Sequence, residues 1–174
     1  NFAAALAQGL EALALFEQMD DRASQADVLC AVARAQLNLG NLPEAVEVGR
    51  RAQNLAQEIG DRLTEAEVLN ILGITHKRAG NYELALAVYA EALALFRALG
   101  NHLGEGRVLN NLALAHSGLG HYDIALALVN QSLQLPTGAV FKRGGFSHQA
   151  LGHLYKDHGE FDQALDHFRQ ALLI

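Results

Sequence analysis

The sequence predicts an all-α fold built from antiparallel helix hairpins, and three observations carry that prediction. Short motifs recur at a fixed step. Leu39-Gly40-Asn41-Leu42, Ala79-Gly80-Asn81-Tyr82 and Leu119-Gly120-His121-Tyr122 lie 40 residues apart, and His158-Gly159-Glu160-Phe161 follows after 39. Columns of small residues keep the same register: Ala5, Ala45, Ala85, Ala125 and Ala164 in one, Ala12, Ala52, Ala92, Ser132 and Ala171 in another. The chain has 174 residues, 51% of them hydrophobic, and only 2 prolines, which favours helix because an internal proline removes a hydrogen bond and collides with the preceding turn. A period of this size marks stacked supersecondary units.

The elements follow in order. Asn1-Phe2 matches Asn81-Tyr82, so residues 2–19 read as a second helix without its first, a half-repeat over 1–20. Helices 22–39 and 42–59 make the repeat 21–60, and helices 62–79 and 82–99 make 61–100. Helices 102–119 and 122–135 make 101–138, and helices 141–158 and 161–174 make 139–174, nine helices in one array. In helix 62–79, Leu69, Leu72, Gly73, His76 and Ala79 share one side, the three-and-four spacing of an amphipathic helix. Val32, Leu72, Leu112 and Leu151 form an aliphatic column, each followed by Ala or Gly. Gly80 suits a left-handed cap, and Asn81 can cap the next helix. That helix carries Leu84, Ala85, Val88, Tyr89, Ala92, Leu95 and Phe96 and stops at Gly100. Turns this short force antiparallel neighbours, and the alanine columns let helices approach closely. Pro136 ends the seventh helix early, and Gly144-Gly145 weakens the start of the eighth, so the joint at Leu135–Gly138 is expected to be looser or bent.

Composition excludes several classes. Charged residues are 18% of the chain and the net charge is −6, from 13 Lys+Arg against 19 Asp+Glu. Disorder needs lower hydrophobicity and more charge. An acidic chain has no electrostatic reason to seek nucleic acid or an anionic membrane surface. No run of about 18 uncharged apolar residues exists. Cys30 is the single cysteine, so no internal disulfide forms and a cytoplasmic, reducing location is the expectation. The first residue is Asn and no basic-then-apolar leader follows, so the expectation is a segment of a longer chain.

Leu72-Gly73, Gly80-Asn81-Tyr82, Ala85, Tyr89 and Ala92 together resemble the tetratricopeptide repeat (TPR) family. The 40-residue period, with Gly-Asp or Gly-Asn between repeats, is similar to Pins-type scaffolds, kinesin light chains and TPR regions of bacterial signalling regulators. Leu69-Asn70-Ile71-Leu72-Gly73 and Leu109-Asn110-Asn111-Leu112-Ala113 are close to the kinesin-light-chain pattern. His76 and His116 depart from it where the family has tyrosine, which Tyr155 keeps. The resemblance implies a right-handed α-solenoid whose first helices line a concave face. It implies protein or extended-peptide partners in that groove and no catalysis. Fold alone does not specify function.

The stripe of each first helix that points away from the packed side is the candidate peptide-binding face. It carries Asp27, Cys30, Arg34 and Leu37, then Glu67, Asn70, Ile74, Lys77 and Arg78. Arg107, Asn110, Leu114 and Ser117 follow, then Phe146, Gln149, His153 and Lys156. The residues expected to contact peptide are Arg34, Glu67, Asn70, Ile74, Lys77, Arg107, Asn110, Asn111, Leu114, Gln149 and His153. Asn70, Asn110 and Gln149 occupy one column, and a carboxamide can pair with both groups of a peptide bond; the competing role is a hydrogen bond to a neighbouring helix or to water. The paired cations that grip a terminal carboxylate in many TPR domains do not appear. A mixed or mildly acidic peptide with apolar anchors is expected.

No catalytic, cofactor or metal site is expected. His148, His153 and His158 are five apart, too far round one helix to share an ion, and no HExxH or CxxC occurs. His76 and His116 are expected to pack between helices, and His102 and His121 to sit in turns. Cys30 has no nucleophile's neighbours, Gly104 and Gly106 make no phosphate loop, and Asp20-Asp21 and Glu65 suit helix starts. Two further readings remain: a regulatory segment of a larger bacterial signalling protein, or self-assembly through the terminal helices. Phe2, Leu6, Leu10, Leu13, Leu165, Leu172 and Leu173 give those helices apolar faces.

Overall fold

Side-chain caps and left-handed glycines cut the chain where the period places them. The computed structural model describes residues 1–136 and 141–173. The helices are α1 (Phe2–Gln18), α2 (Arg22–Leu39), α3 (Leu42–Ile59), α4 (Arg62–Arg78) and α5 (Tyr82–Ala98), then α6 (His102–Gly118), α7 (Tyr122–Leu133), α8 (Phe141–Asp157) and α9 (Phe161–Leu173). Every predicted helix is present. Asp21 and Asp61 accept from backbone N–H groups of Ser24 and Thr64, and Asn101 accepts from Gly104, each cap contributing about 1 kcal/mol. At the start of α3, Asn41 makes no such bond and donates instead to Gln36 Oε1 at 2.7 Å. Gly60 closes α3 at φ 73°. One period earlier that left-handed position falls to Asp20, at φ 53°. The seventh helix stops two residues before its predicted end, at Leu133. The expected bend at the Pro136 joint falls on Thr137 and Gly138, outside the described residues.

The chain divides into two compact units, Asn1–Leu95 and Phe96–Ile174. In the first, α1 packs on α2, α2 on α3, α3 on α4, and α2 lies beside α4. Leu29, Ala33, Leu37, Ala45, Ala52, Val68, Ile71 and Leu72 form its core. In the second, α6 packs on α7, α8 on both α7 and α9, and α6 lies beside α8. Its core is Ala113, Ala125, Val129, Ala150, Leu151 and Leu154. This is an all-α arrangement of stacked hairpins, an α-solenoid. The alanine columns are the contact points: Ala45, Ala85, Ala125, Ala52 and Ala92 are all 0% exposed.

Hairpin packing is tuned by size compensation. A Cβ on Gly73 would run into the Tyr89 ring, and one on Gly152 would stand 2.6 Å from Phe168 Cε1. The same column reads Ala113 against Val129 in the third repeat. Where the second helix brings an aromatic ring, the first supplies glycine; where it brings valine, alanine fits. Close packing leaves no slack for either partner to grow alone.

Candidate functional site

In the first unit the candidate face is built by α2 and α4. Thr64 Oγ1 donates to Asp27 Oδ1 at 3.0 Å, and the Arg34 guanidinium reaches Glu67 at 3.4 Å. The Arg34–Glu67 pair is partly exposed and contributes little to stability, but it fixes the charge pattern of the face. Cys30 lies between them, buried. Burial pushes its thiol pKa up, Arg34 opposes, and Glu67 and Asp27 add to the rise, so the thiol stays protonated and inert. Ile74 is half-buried against the core. Lys77 is half-buried, and burial, with Arg78 beside it, holds its ammonium below the usual lysine range. Arg78 Nη1 donates to the Leu37 carbonyl at 3.0 Å, tying the end of α4 to α2.

In the second unit α6 and α8 build the face. Arg107 is half-buried with its guanidinium carbon 5.9 Å from the Phe96 ring centroid. Asn111 and Leu114 are half-buried, while Gln149 and Phe146 are exposed. His153 is half-buried and meets the edge of Phe168 at 5.2 Å, within its own hairpin. Asn110 Nδ2 donates to Ser147 Oγ at 3.1 Å. Ser147 and Ser132 hydroxyls are 3.1 Å apart, and Ser132 Oγ donates to the Gly106 carbonyl at 3.1 Å. One polarity links this buried chain, Asn110 to Ser147 to Ser132 to Gly106.

The expected rung of open carboxamides is therefore corrected. Asn70 is 3% exposed and Asn110 7%; of the three, Gln149 alone is exposed. Asn110 spends its donor on Ser147, which makes it a tie between α6 and α8. The physical reason is that a first helix packs on the neighbouring first helix of its own unit, α2 on α4 and α6 on α8, as well as on its hairpin partner, so its buried arc is wider than a two-sided amphipathic pattern implies. Glu67, Asn70, Arg107, Asn111 and His153 all engage neighbouring groups. Sequence reasoning missed Thr64, Ser132 and Ser147. A signal existed: Asp27 with Thr64, and Asn110 with Ser147, both lie 37 residues apart, two or three residues short of the repeat.

Other polar groups serve the scaffold. Glu65 and Glu105 are buried carboxylates at helix starts, paired with Gln57 at 2.7 Å and Arg97 at 2.8 Å. His76 and His116 are half-buried, and burial keeps both imidazoles more easily deprotonated than usual, with Arg50 and His121 adding to the effect. Among the described residues no three His, Cys, Asp or Glu side chains could hold a metal ion. No helix among them is long and apolar enough to cross a membrane.

Comparison with known proteins agrees with this geometry. The tetratricopeptide repeat family matches at residues 64–137 and again at 147–174, together more than half of the chain. No curated protein matches. Among solved structures, BtubC (BKLC) from P. vanneervenii superposes with a TM-score of 0.78 at 22% identity, covering 98% of this chain and 71% of that one. Kinesin-light-chain-type TPR-like repeats from Podosopora anserina give 0.63 at 19% identity, covering 96% of this chain and 87% of that one. MamA gives 0.61 at 21%, covering 93% and 84%. At these identities the likeness is one of fold. With its hairpins, alanine columns and repeat matches in agreement, the chain belongs to the tetratricopeptide repeat family.

Proposed function

We propose that this protein is a non-catalytic interaction module that holds an extended segment of a partner protein against the exposed faces of its first helices. The observation that carries the reading is the composition of the α6–α8 face. Arg107, Leu114, Phe146, Gln149 and Lys156 stand along it, and among the described residues its one exposed carboxylate, Asp157, sits at the end beside Lys156 at 3.5 Å. A chain of net charge −6 thus keeps one face cationic and apolar, which suits an acidic segment with an apolar anchor. The α2–α4 face carries Asp27, Arg34, Glu67, Ile74 and Lys77 and is mixed in charge.

The test is binding of extended peptides of graded net charge, each with one aromatic residue, to wild type and to an Arg107→Glu/Lys156→Glu variant. Acidic peptides should bind wild type and lose about tenfold or more in the variant, roughly 1.4 kcal/mol. Equal binding by both proteins, or preference for basic peptides, rejects the reading. Asn110→Ala serves as the comparison. It should cost about 0.5–1.5 kcal/mol of stability by removing one of the two hydrogen bonds of buried Ser147, which keeps its contact with Ser132, with peptide affinity retained in the folded fraction.

A second reading, self-association, is favoured by the exposure of Leu172 at 87%, Leu173 at 85% and Met19 at 70%. Large bare side chains of this kind mark contact surfaces. Light scattering over a concentration series should show mass above the monomer, reduced by Leu172→Asp/Leu173→Asp. A monomeric mass at every concentration refutes it.

A further inference from the structure

We propose that His148 and His167 form a one-proton latch that holds α9 on α8 at neutral pH and releases it when the pair takes up a second proton. Their Nδ1 atoms are 3.0 Å apart. The ring centroids are 5.2 Å apart with the planes 21° from parallel. The centroid spacing exceeds the nitrogen spacing by nearly the reach of both rings, so the two nitrogens point at each other edge to edge. That is the geometry of an N–H···N hydrogen bond. A shared metal ion would need lone pairs converging on a third point.

The position is unusual within the repeat. The equivalent pairs in the other hairpins are Leu29 with Val48, Leu69 with Val88, and Leu109 with Leu128. Leu29, Leu69 and Leu109 are at most 2% exposed, and Val48, Val88 and Leu128 are half-buried. The last hairpin alone puts two imidazoles where the others put aliphatic side chains.

The protons can be followed atom by atom. In the neutral pair one ring carries its hydrogen on Nδ1 and donates, while the other accepts at Nδ1 and carries its hydrogen on Nε2. A first added proton goes to the donor's free Nε2. The bond survives and becomes charge-assisted. A second proton has only the accepting Nδ1 to occupy. Two N–H groups then meet head on, each ring carries a positive charge, and the bond is lost.

The surroundings do little to rescue that state. Tyr155 lies parallel to His167 at 5.3 Å and offers it no carboxylate. Asp166 favours the charged ring, but its side chain is 72% exposed and shares Arg169 at 3.5 Å. From α7 the one charged side chain is Asp123. From α6, Glu105 is paired with Arg97 and His102, Arg107 stands beside Phe96, and His116 faces His121 at 3.3 Å. Burial and His148 together hold His167 below the ordinary histidine range. A histidine whose folded pKa is depressed binds protons more weakly than in the unfolded chain. The penalty on the folded hairpin is absent above about pH 6.5, grows as pH falls through that value, and is complete below the folded pKa.

The test follows the histidine ring carbon resonances of the whole chain by NMR from pH 8 to 4.5, with amide exchange of α9 measured alongside. The pair should titrate in two steps. The lower step should coincide with a rise of about tenfold or more in α9 exchange, corrected for intrinsic chemistry and relative to α3, tenfold corresponding to each pKa unit of separation. His148→Gln keeps a donor for His167 Nδ1 and removes the second charge, so the lower step and the exchange increase should vanish. His148→Leu/His167→Leu, which restores the aliphatic column, should make α9 exchange independent of pH. Independent titration of both rings near pH 6.5, pH-independent α9 exchange in wild type, or unchanged behaviour in His148→Gln overturns the latch.

Discussion

Gly73→Ala is expected to destabilise the first unit by about 1–3 kcal/mol, the usual cost of overpacking a close-packed contact. The new methyl would intrude on the Tyr89 ring, which is 0% exposed and has no room to retreat. Helix propensity acts in the opposite direction, since alanine is better than glycine inside a helix by about 1 kcal/mol. The clash should win because both the backbone of α4 and the ring are fixed by neighbours. Tyr89→Val alone should cost about 3–5 kcal/mol by leaving a large void. The informative variant carries both changes, because Ala against Val is what the third repeat uses at Ala113 and Val129. The double variant should be more stable than the sum of the two single losses predicts, by about 1–2 kcal/mol of coupling. Chemical denaturation of the four proteins measures it. Additive losses would show that the column matches in sequence without matching in space.

The same column explains how much of the fold was legible. Period and size are one-dimensional properties, so Val32, Leu72, Leu112 and Leu151 announce the helix interior without coordinates. So do the glycines and Asp61 or Asn101 at the turns. The faces were less legible. Asn70 and Asn110 read as outward because an amphipathic pattern describes one helix with one partner, whereas Asn110 reaches across to Ser147 on the next first helix. The histidines are hidden for the same reason. Along one helix His148, His153 and His158 diverge, and the contact that forms is between helices, His148 with His167. Reading down the columns instead, where His148 replaces Leu109 and His167 replaces Leu128, marks both positions. The charge of the α6–α8 face was partly legible, since Arg107 and Lys156 were on the predicted stripe. That Glu105 is withdrawn from it by Arg97 depends on which helix start lies beside which helix end.

Phe96→Ala should be among the most damaging single changes in the second unit, at about 3–5 kcal/mol. Phe96 is 0% exposed, and its ring fills the space left by the missing side chain of Gly104, where any Cβ would overlap it. Removing the ring also strips the support from the Arg107 guanidinium, and leaves the neighbouring Arg97–Glu105 pair more open to water. One repeat earlier the equivalent positions are Ala56 and Thr64, with Ala56 0% and Thr64 7% exposed. That repeat solves the same contact with a small residue on the second helix and a larger one on the next first helix. Phe96→Ala/Gly104→Thr copies the earlier solution. It should recover a measurable part of the loss, because threonine refills some of the void and replaces a helical glycine that costs about 0.5–1 kcal/mol. Gly104→Thr alone should be destabilising, since the ring is still in place. If thermal unfolding ranks the double variant below Phe96→Ala, the aromatic ring is needed for its own contacts, and the exchange of size between Phe96 and Gly104 is not what holds this joint.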